Sequence, residues 1–254
     1  MAKEQTVVKG LVLRSVDTKE SDKILTVLTA GMGKIAVVAK GARSRRSKVT
    51  AATQLLAYSE LTLSESHGWQ YLNEASTIEL FDGVRQDVVL LSLASYFAEL
   101  TEHVAYEEGE AGDILSLLLN ALYALGNLKK VPELVRAAFE MKLMALIGFE
   151  PMVEQCAYCG EVYPVQPVLD LEGSILRCQS CGVGKGRGVA LTTGALAALR
   201  HVLYGDPKRL YSFTLESADQ RRFNHVSEAY VASVVERNFR TLDFYKSLLA
   251  YENS

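Results

Sequence analysis

Over the first eighty residues apolar positions fall in short extended runs, and beyond them they take up a helical spacing. Val7 to Val16 is β-branched and extended. Lys23 to Leu28, Lys34 to Ala39, Leu61 to Ser64, Trp69 to Leu72 and Ser76 to Leu80 follow as strand-like runs, divided by turns such as Ala30-Gly31-Met32-Gly33. Short strands between glycine-containing turns predict a small antiparallel barrel or sandwich, and five strands in this span fit an OB-type barrel.

The period lengthens near Phe81. Asp87 is placed to cap a helix starting at Val88. Leu90, Leu93, Phe97, Leu100 and Val104 then recur every three or four residues, which is one face of an amphipathic helix. Asp113 opens a second helix, Ile114 to Leu125, apolar on most sides and therefore suited to a bundle interior. Pro132 begins a third helix, with Val135, Phe139, Leu143 and Leu146 as its buried stripe, and Gly148 ends it. Residues 150–190 break the pattern with four cysteines, Pro151, Pro164, Pro167 and many glycines. Helical spacing resumes over Thr193 to Tyr204, and a last helix is predicted from about Arg222 to Leu249. The predicted class is α+β and multidomain. Residues 1–80 form the barrel, 81–149 and 191–254 two parts of a helical domain, and 150–190 an insert between them.

The cysteines define that insert's chemistry. Cys156-Ala-Tyr-Cys159-Gly is followed, after eighteen intervening residues, by Cys178-Gln-Ser-Cys181-Gly. A two-residue gap lets both thiolates of a pair reach one ion. The glycine after each pair lets the chain turn so that amides face the sulfurs. Two such pairs make a tetrahedral zinc ribbon with no open position, a structural site rather than a catalytic one. Iron held as in rubredoxin is chemically compatible with the same four thiolates. A thioredoxin-like redox pair is not expected, because two pairs lie in a Gly/Pro-rich insert rather than at a helix start.

Composition adds few constraints. Of 254 residues, 49% are apolar and 22% charged, which suits an ordinary globular core. No apolar run nears the ~20 residues of a membrane span. The N-terminal MAKEQTVVKG does not read as a secretory signal, so the expected compartment is the cytoplasm.

Charge is more informative. The net charge of −3 divides unevenly: residues 1–59 carry eleven bases and four acids, a net of +7, leaving −10 for the rest. From Lys23 through Ser59 there is no acid, and the bases are Lys23, Lys34, Lys40, Arg43, Arg45, Arg46 and Lys48. A basic head on an acidic body is the footprint of a polyanion binder; the plainer alternative is a solvated surface loop. Small residues between the charges of Lys40–Lys48 would let phosphates approach the backbone. Trp69 and Tyr71, on one strand face, serve either base stacking or core packing.

Catalytic patterns are missing. Gly31-Met-Gly33-Lys34-Ile35 and Gly182-Val-Gly184-Lys185-Gly186 both fail as P-loops, so no nucleotide cofactor is expected. There is no His-Glu-x-x-His and no Gly-x-Ser-x-Gly, and His67, His103, His201 and His225 are scattered. No enzyme is predicted. Other classes that could use the same features are a zinc-ribbon transcription or translation factor and a protein-contact adaptor with weak DNA binding. A metalloenzyme would need an open metal position.

Several segments together resemble the bacterial recombination mediator family RecO. They are Lys9-Gly-Leu-Val-Leu-Arg14, Glu20-Ser-Asp22-Lys-Ile, Leu28-Thr29, Gly33-Lys34, Ala39-Lys-Gly-Ala-Arg43, and Gly148-Phe149-Glu150-Pro151 followed by the first cysteine pair. The resemblance spans nearly the whole chain. It implies an N-terminal OB domain, a helical domain and a zinc-ribbon insert. It also implies binding of single- and double-stranded DNA and annealing of complementary strands. The implied partners are RecR, the acidic tail of single-strand-binding protein and, indirectly, RecA, at the bacterial nucleoid with no membrane. The DNA-contacting candidates are Arg14, Lys23, Lys34, Lys40, Arg43, Arg45, Arg46, Lys48, Trp69 and Tyr71. For the acidic tail the candidates are Lys129, Lys130, Arg136 and Lys142, the only bases between residues 88 and 150.

Overall fold

The computed structural model describes residues 5–182 and 186–252. Val183 to Lys185 of the second glycine-rich run lie outside the described residues, as do Lys3 and Glu4 of the basic head.

Five strands open the chain: β1 (Gln5–Thr18), β2 (Asp22–Thr29), β3 (Lys34–Ala39), β4 (Tyr58–Ser66) and β5 (Trp69–Glu79). They close into a barrel in the order β1-β2-β3-β5-β4, sealed by antiparallel pairing of β1 with β4 and parallel pairing of β3 with β5. This is the expected OB-type barrel. Val12, Leu25, Val27, Val37, Leu61 and Leu63 fill it, with Ala42 and Ala57 from the β3–β4 connection. Leu11 and Leu13 point the other way yet are also buried, because a helix packs on the outside of β1. His67 (φ 53°) and Gly68 (φ 76°) form the two-residue turn between β4 and β5, and positive φ at both positions matches the strand twist. The runs Trp69–Leu72 and Ser76–Leu80 are not separate strands. Glu74 and Ala75 continue the pairing with β4, and Asn73 is the extra residue of a bulge opposite Thr62/Leu63 that shifts the register.

The helices are α1 (Asp82–Arg85), α2 (Val88–Val104), α3 (Gly112–Gly126), α4 (Pro132–Leu146), α5 (Thr193–Tyr204), α6 (Ser217–Val235) and α7 (Arg240–Glu252). Asp87 caps α2 as expected, accepting from the amides of Val89 and Leu90, and Thr192 caps α5. Three short strands make a second sheet: β6 (Pro167–Asp170), β7 (Ile175–Cys178) and β8 (Gly188–Ala190), with β6 central.

The predicted single helix from Arg222 to Leu249 is two helices. Glu236 adopts φ 51° and ends α6, and the chain then places Phe239 against Tyr96, with ring centroids 5.7 Å apart. The gain from burying Phe239 (3% exposed) replaces the helical bonds lost at the break. The chain forms two compact units, Met1–Asn127 with Phe239–Ser254, and Leu128–Asn238. In the first, α7 packs on α2, and the Glu99 carboxylate accepts from the Thr241 hydroxyl (2.6 Å) and amide (3.3 Å) at the start of α7. In the second, α4 packs against α5 and α6. Among the described residues no helix is long and apolar enough to cross a membrane.

A buried ion pair stands inside the second unit. Arg136 Nη1 lies 2.9 Å from Glu140 Oε1 and 3.4 Å from Glu228 Oε2, and Glu140 is 0% exposed. Replacing one partner of such a pair strands the other charge. We expect Arg136→Met to lower unfolding free energy by about 3–5 kcal/mol, measured by urea titration; an unchanged midpoint would contradict this.

Candidate nucleic-acid surface and metal centre

The basic segment between β3 and β4 is a loop by its hydrogen bonding, but its foundations are buried. Ala42, Ala52, Thr53, Leu56 and Ala57 are all at most 2% exposed. Asp22 Oδ1 accepts from the amide of Gly41 (2.8 Å), where φ is 63° and nothing lies within 4 Å of a would-be Cβ. The Arg43 amide donates to Ser21 O (2.9 Å), and the Thr50 hydroxyl donates to Ala42 O (3.1 Å). At the far end Leu56 N donates to Val12 O and Val12 N to Ala57 O. Arg43, Arg45, Arg46 and Lys48 therefore project outward from a fixed base. Arg43 Nε lies 3.2 Å from Asp17 Oδ2, with both side chains well exposed, a pair weak enough for a phosphate to displace.

Beside this excursion the Lys40 ammonium sits 4.8 Å from the centroid of Tyr71, over its ring. Both border a cleft of about 280 Å³. Trp69 is 48% exposed, and Tyr71 is half-buried beneath Lys40. Neither ring belongs to the barrel core. Lys23 lies on β2, paired in register with Asp17 of β1.

Arg14 and Lys34 face a different cleft, of about 500 Å³, with Trp69 and Gln70 on one side and Glu102, Glu107 and Glu108 on the other. Arg14 Nε pairs with Glu102 Oε1 at 2.9 Å, which also accepts from the Thr26 hydroxyl at 3.2 Å. Lys34 Nζ donates to the Glu102 carbonyl (2.7 Å) in the last turn of α2, where a cation meets the negative end of the helix. The β2–β3 turn is locked to the segment after α2: Lys34 N donates to Tyr106 O, Ala111 N donates to Ala30 O, and a Cβ on Gly33 would lie 2.8 Å from Tyr106 O. Lys34 is thus engaged by a carbonyl and Arg14 by an acid, as Arg43 is, whereas Arg45, Arg46 and Lys48 face solvent.

The four cysteines converge. Their Sγ atoms all lie within 4.8 Å of one another, and Cys159 and Cys178 are 3.6 Å apart. Metal–sulfur bonds of about 2.3 Å in a tetrahedron put sulfurs about 3.8 Å apart, so the donor set fits one such ion. In the first knuckle Gly160 (φ 75°) donates its amide to Cys156 O, and in the second the Cys178 amide donates to Cys156 Sγ at 3.3 Å. Burial pushes the Cys156 thiol up, but amide donation from Cys159, Cys178 and Tyr158 outweighs it and brings it down to about 6. Loss of hydration and hydrogen bonds with Cys159 and Cys156 push Cys178 up to about 12. Binding of a cation by these sulfurs requires thiolates, so it releases protons from the cluster. Arg200 of α5 holds the first knuckle in place. Its Nε donates to Val153 O (2.8 Å) and its Nη2 to Glu154 O (2.8 Å) and Val162 O (2.6 Å).

Of the four bases considered for an acidic tail, two are occupied. Arg136 is buried in its ion pair, and Lys142 Nζ donates to Leu203 O at 3.0 Å. Lys129 and Lys130 instead edge a groove of about 130 Å³ formed by Val131, Leu134, Val135, Tyr211, Phe213 and Thr214. The Tyr211 hydroxyl there is buried without a hydrogen-bond partner among the described residues, and burial pushes its pKa up. Sequence reading missed Tyr211 and Arg200, whose contacts join segments far apart in the chain.

Comparison with known proteins agrees with this architecture. Residues 1–81 match the family described as Recombination protein O N terminal, and residues 85–243 match Recombination protein O C terminal. The chain is 32% identical over 240 residues to DNA repair protein RecO of Acetivibrio thermocellus, covering 94% of this chain and 95% of the relative. It is 31% identical over 248 residues to DNA repair protein RecO of Symbiobacterium thermophilum, covering 95% and 96%. For DNA repair protein RecO of Caldicellulosiruptor bescii the figures are 29% over 238 residues, 94% and 96%. With an OB-type barrel, a helical region and a four-cysteine cluster in the matching order, the chain belongs to the RecO family of DNA repair proteins.

Proposed function

We propose that this chain is a non-enzymatic, DNA-binding recombination mediator of the bacterial cytoplasm and nucleoid. It binds single- and double-stranded DNA through residues 1–80 and anneals complementary strands. With RecR it helps load RecA onto strands coated by single-strand-binding protein. The observation that carries this reading is the acid-free basic excursion, anchored at both feet on an OB-type barrel. A fixed cationic surface offsets the repulsion between two phosphate backbones, while base pairing supplies the specificity. Trp69 and Tyr71, two residues apart on one strand and so about 7 Å apart, offer their rings to unpaired bases.

The four thiolates hold one structural Zn²⁺, closing the insert and leaving no position for water or substrate. Lys129 and Lys130 receive carboxylates of the acidic tail, and the apolar groove beside them takes its hydrophobic side chains, a reading supported by their position at the groove's edge.

The test is the salt dependence of single-strand binding, with annealing of coated complementary strands measured in parallel. If Lys23, Lys40, Arg43, Arg45, Arg46 and Lys48 supply the contacts, the slope of log affinity against log salt is about −4, a loss of roughly 250-fold between 50 and 200 mM. A slope near −6 would mean that Arg14 and Lys34 leave Glu102 and join them. A flat response, or no annealing, would refute the proposal.

A further inference from the structure

The excursion's C-terminal foot is held by one side chain from beyond the barrel. Arg85, at the end of α1, donates from Nε to Leu80 O, from Nη2 to Leu55 O and from Nη1 to Gln54 Oε1 (3.2 Å). One planar guanidinium so joins the strand exit at Leu80 to the last residues of the excursion, a geometry that a lysine ammonium cannot reproduce. The helix that carries Arg85 is itself fixed. A Cβ on Gly83 would lie 2.5 Å from Gly126 O of α3, so only glycine allows the two backbones to meet. The residue after Leu55 shows what the anchor restrains: Leu56 has φ 61°, unfavourable for a leucine, and is fully buried.

We infer that Arg85 is a positioning residue for nucleic-acid binding: it holds Gln54 and Leu55 so that the bases of the excursion stand pre-arranged for phosphates, without itself meeting them. This rests on the DNA-binding reading of the excursion. Pre-arrangement matters because ordering a mobile basic loop at the moment of binding subtracts from affinity.

The full chain and its Arg85→Lys and Arg85→Met variants test this by two readouts. The first is amide hydrogen exchange without DNA. Both variants are expected to speed exchange at Leu56 and Ala57 by about tenfold to a hundredfold, the effect of losing a charged hydrogen bond, with a fall of only a few degrees in the thermal midpoint and unchanged exchange in the second unit. The second is binding to a labelled oligothymidylate over a salt series. Both variants are expected to lose about tenfold in affinity at every salt, with the slope of the unmodified chain. Full affinity in Arg85→Lys, with a slope shallower by about 0.7 in Arg85→Met, would make Arg85 a direct phosphate contact and overturn the inference. Exchange accelerated throughout the chain would overturn it as well, reducing Arg85 to a general stabiliser. If the unmodified chain did not bind the oligonucleotide, the proposed function would fall and the purpose of the anchor with it. Faster local exchange with normal binding would sink the positioning role alone.

Discussion

Cys159→Ser protein will be recovered without its metal ion and with residues 150–190 open to protease. A saturated thiolate site contributes about 10–16 kcal/mol of apparent binding free energy at neutral pH, more than the hydrogen bonds from Arg200, Tyr204 and Tyr230 that also tie this segment down. Its sheet has strands of four, four and three residues, too small to stand alone. Its apolar core is Val153, Val168, Leu169 and Leu176, supplemented by the buried pair of Asp170 with Arg177 at 3.2 Å. Cys156→Ser is expected to be more severe, because that sulfur is buried and receives the Cys178 amide. Metal content by mass, limited proteolysis and the thermal transition, each with and without chelator, read the effect. Trp69 is the only tryptophan and lies in the barrel, so its fluorescence reports the first unit separately and is expected to stay unchanged. A Cys159→Ser protein with normal melting and an intact insert would show that the thiolate cluster is dispensable for folding.

Reversing Arg43, Arg45 and Arg46 to glutamate together is expected to cost single-strand affinity more than a hundredfold at 100 mM salt and to abolish annealing. Six units of charge change at the surface, and each phosphate contact contributes about 0.7 to the salt slope. Metal content and melting should persist, because all three side chains are exposed and none closes the excursion's feet. Arg45→Glu with Arg46→Glu should give most of the loss, since Arg43 is partly neutralised by Asp17 already. Unchanged annealing by the triple variant would move the DNA surface elsewhere on the chain.

Much of this architecture is legible in the sequence wherever a local rule decides it. Asp87 caps α2, Pro132 opens α4, and α5 spans Thr193–Tyr204, because capping and periodicity act within a few residues. The cysteines converge because their spacing leaves few other arrangements. The barrel's strands are visible except where alternation fades: Asn73 and Glu74 are both exposed, because Asn73 is the extra residue of a bulge and β5 runs on past it. The break between α6 and α7 carries no Gly or Pro and is imposed by Phe239 finding Tyr96. A charged residue gives no sign of its own burial, so Arg136 reads as surface, although Glu140 four positions on was a usable hint. Arg85 reaches residues about thirty positions earlier and Arg200 residues nearly fifty earlier, distances over which no pattern in one sequence carries information.

The docking of α7 on α2 has a consequence for synthesis. The first unit is built from two stretches of the chain, with the whole second unit spelled out between them. Tyr96 cannot find Phe239, nor Glu99 meet Thr241, until the second unit has been synthesised. The barrel's own hydrogen-bonded circuit can close early, but the helix beside it waits, with apolar side chains uncovered, for a partner made after that whole unit. A message cut short within the second unit thus yields a product still marked for chaperones and proteases.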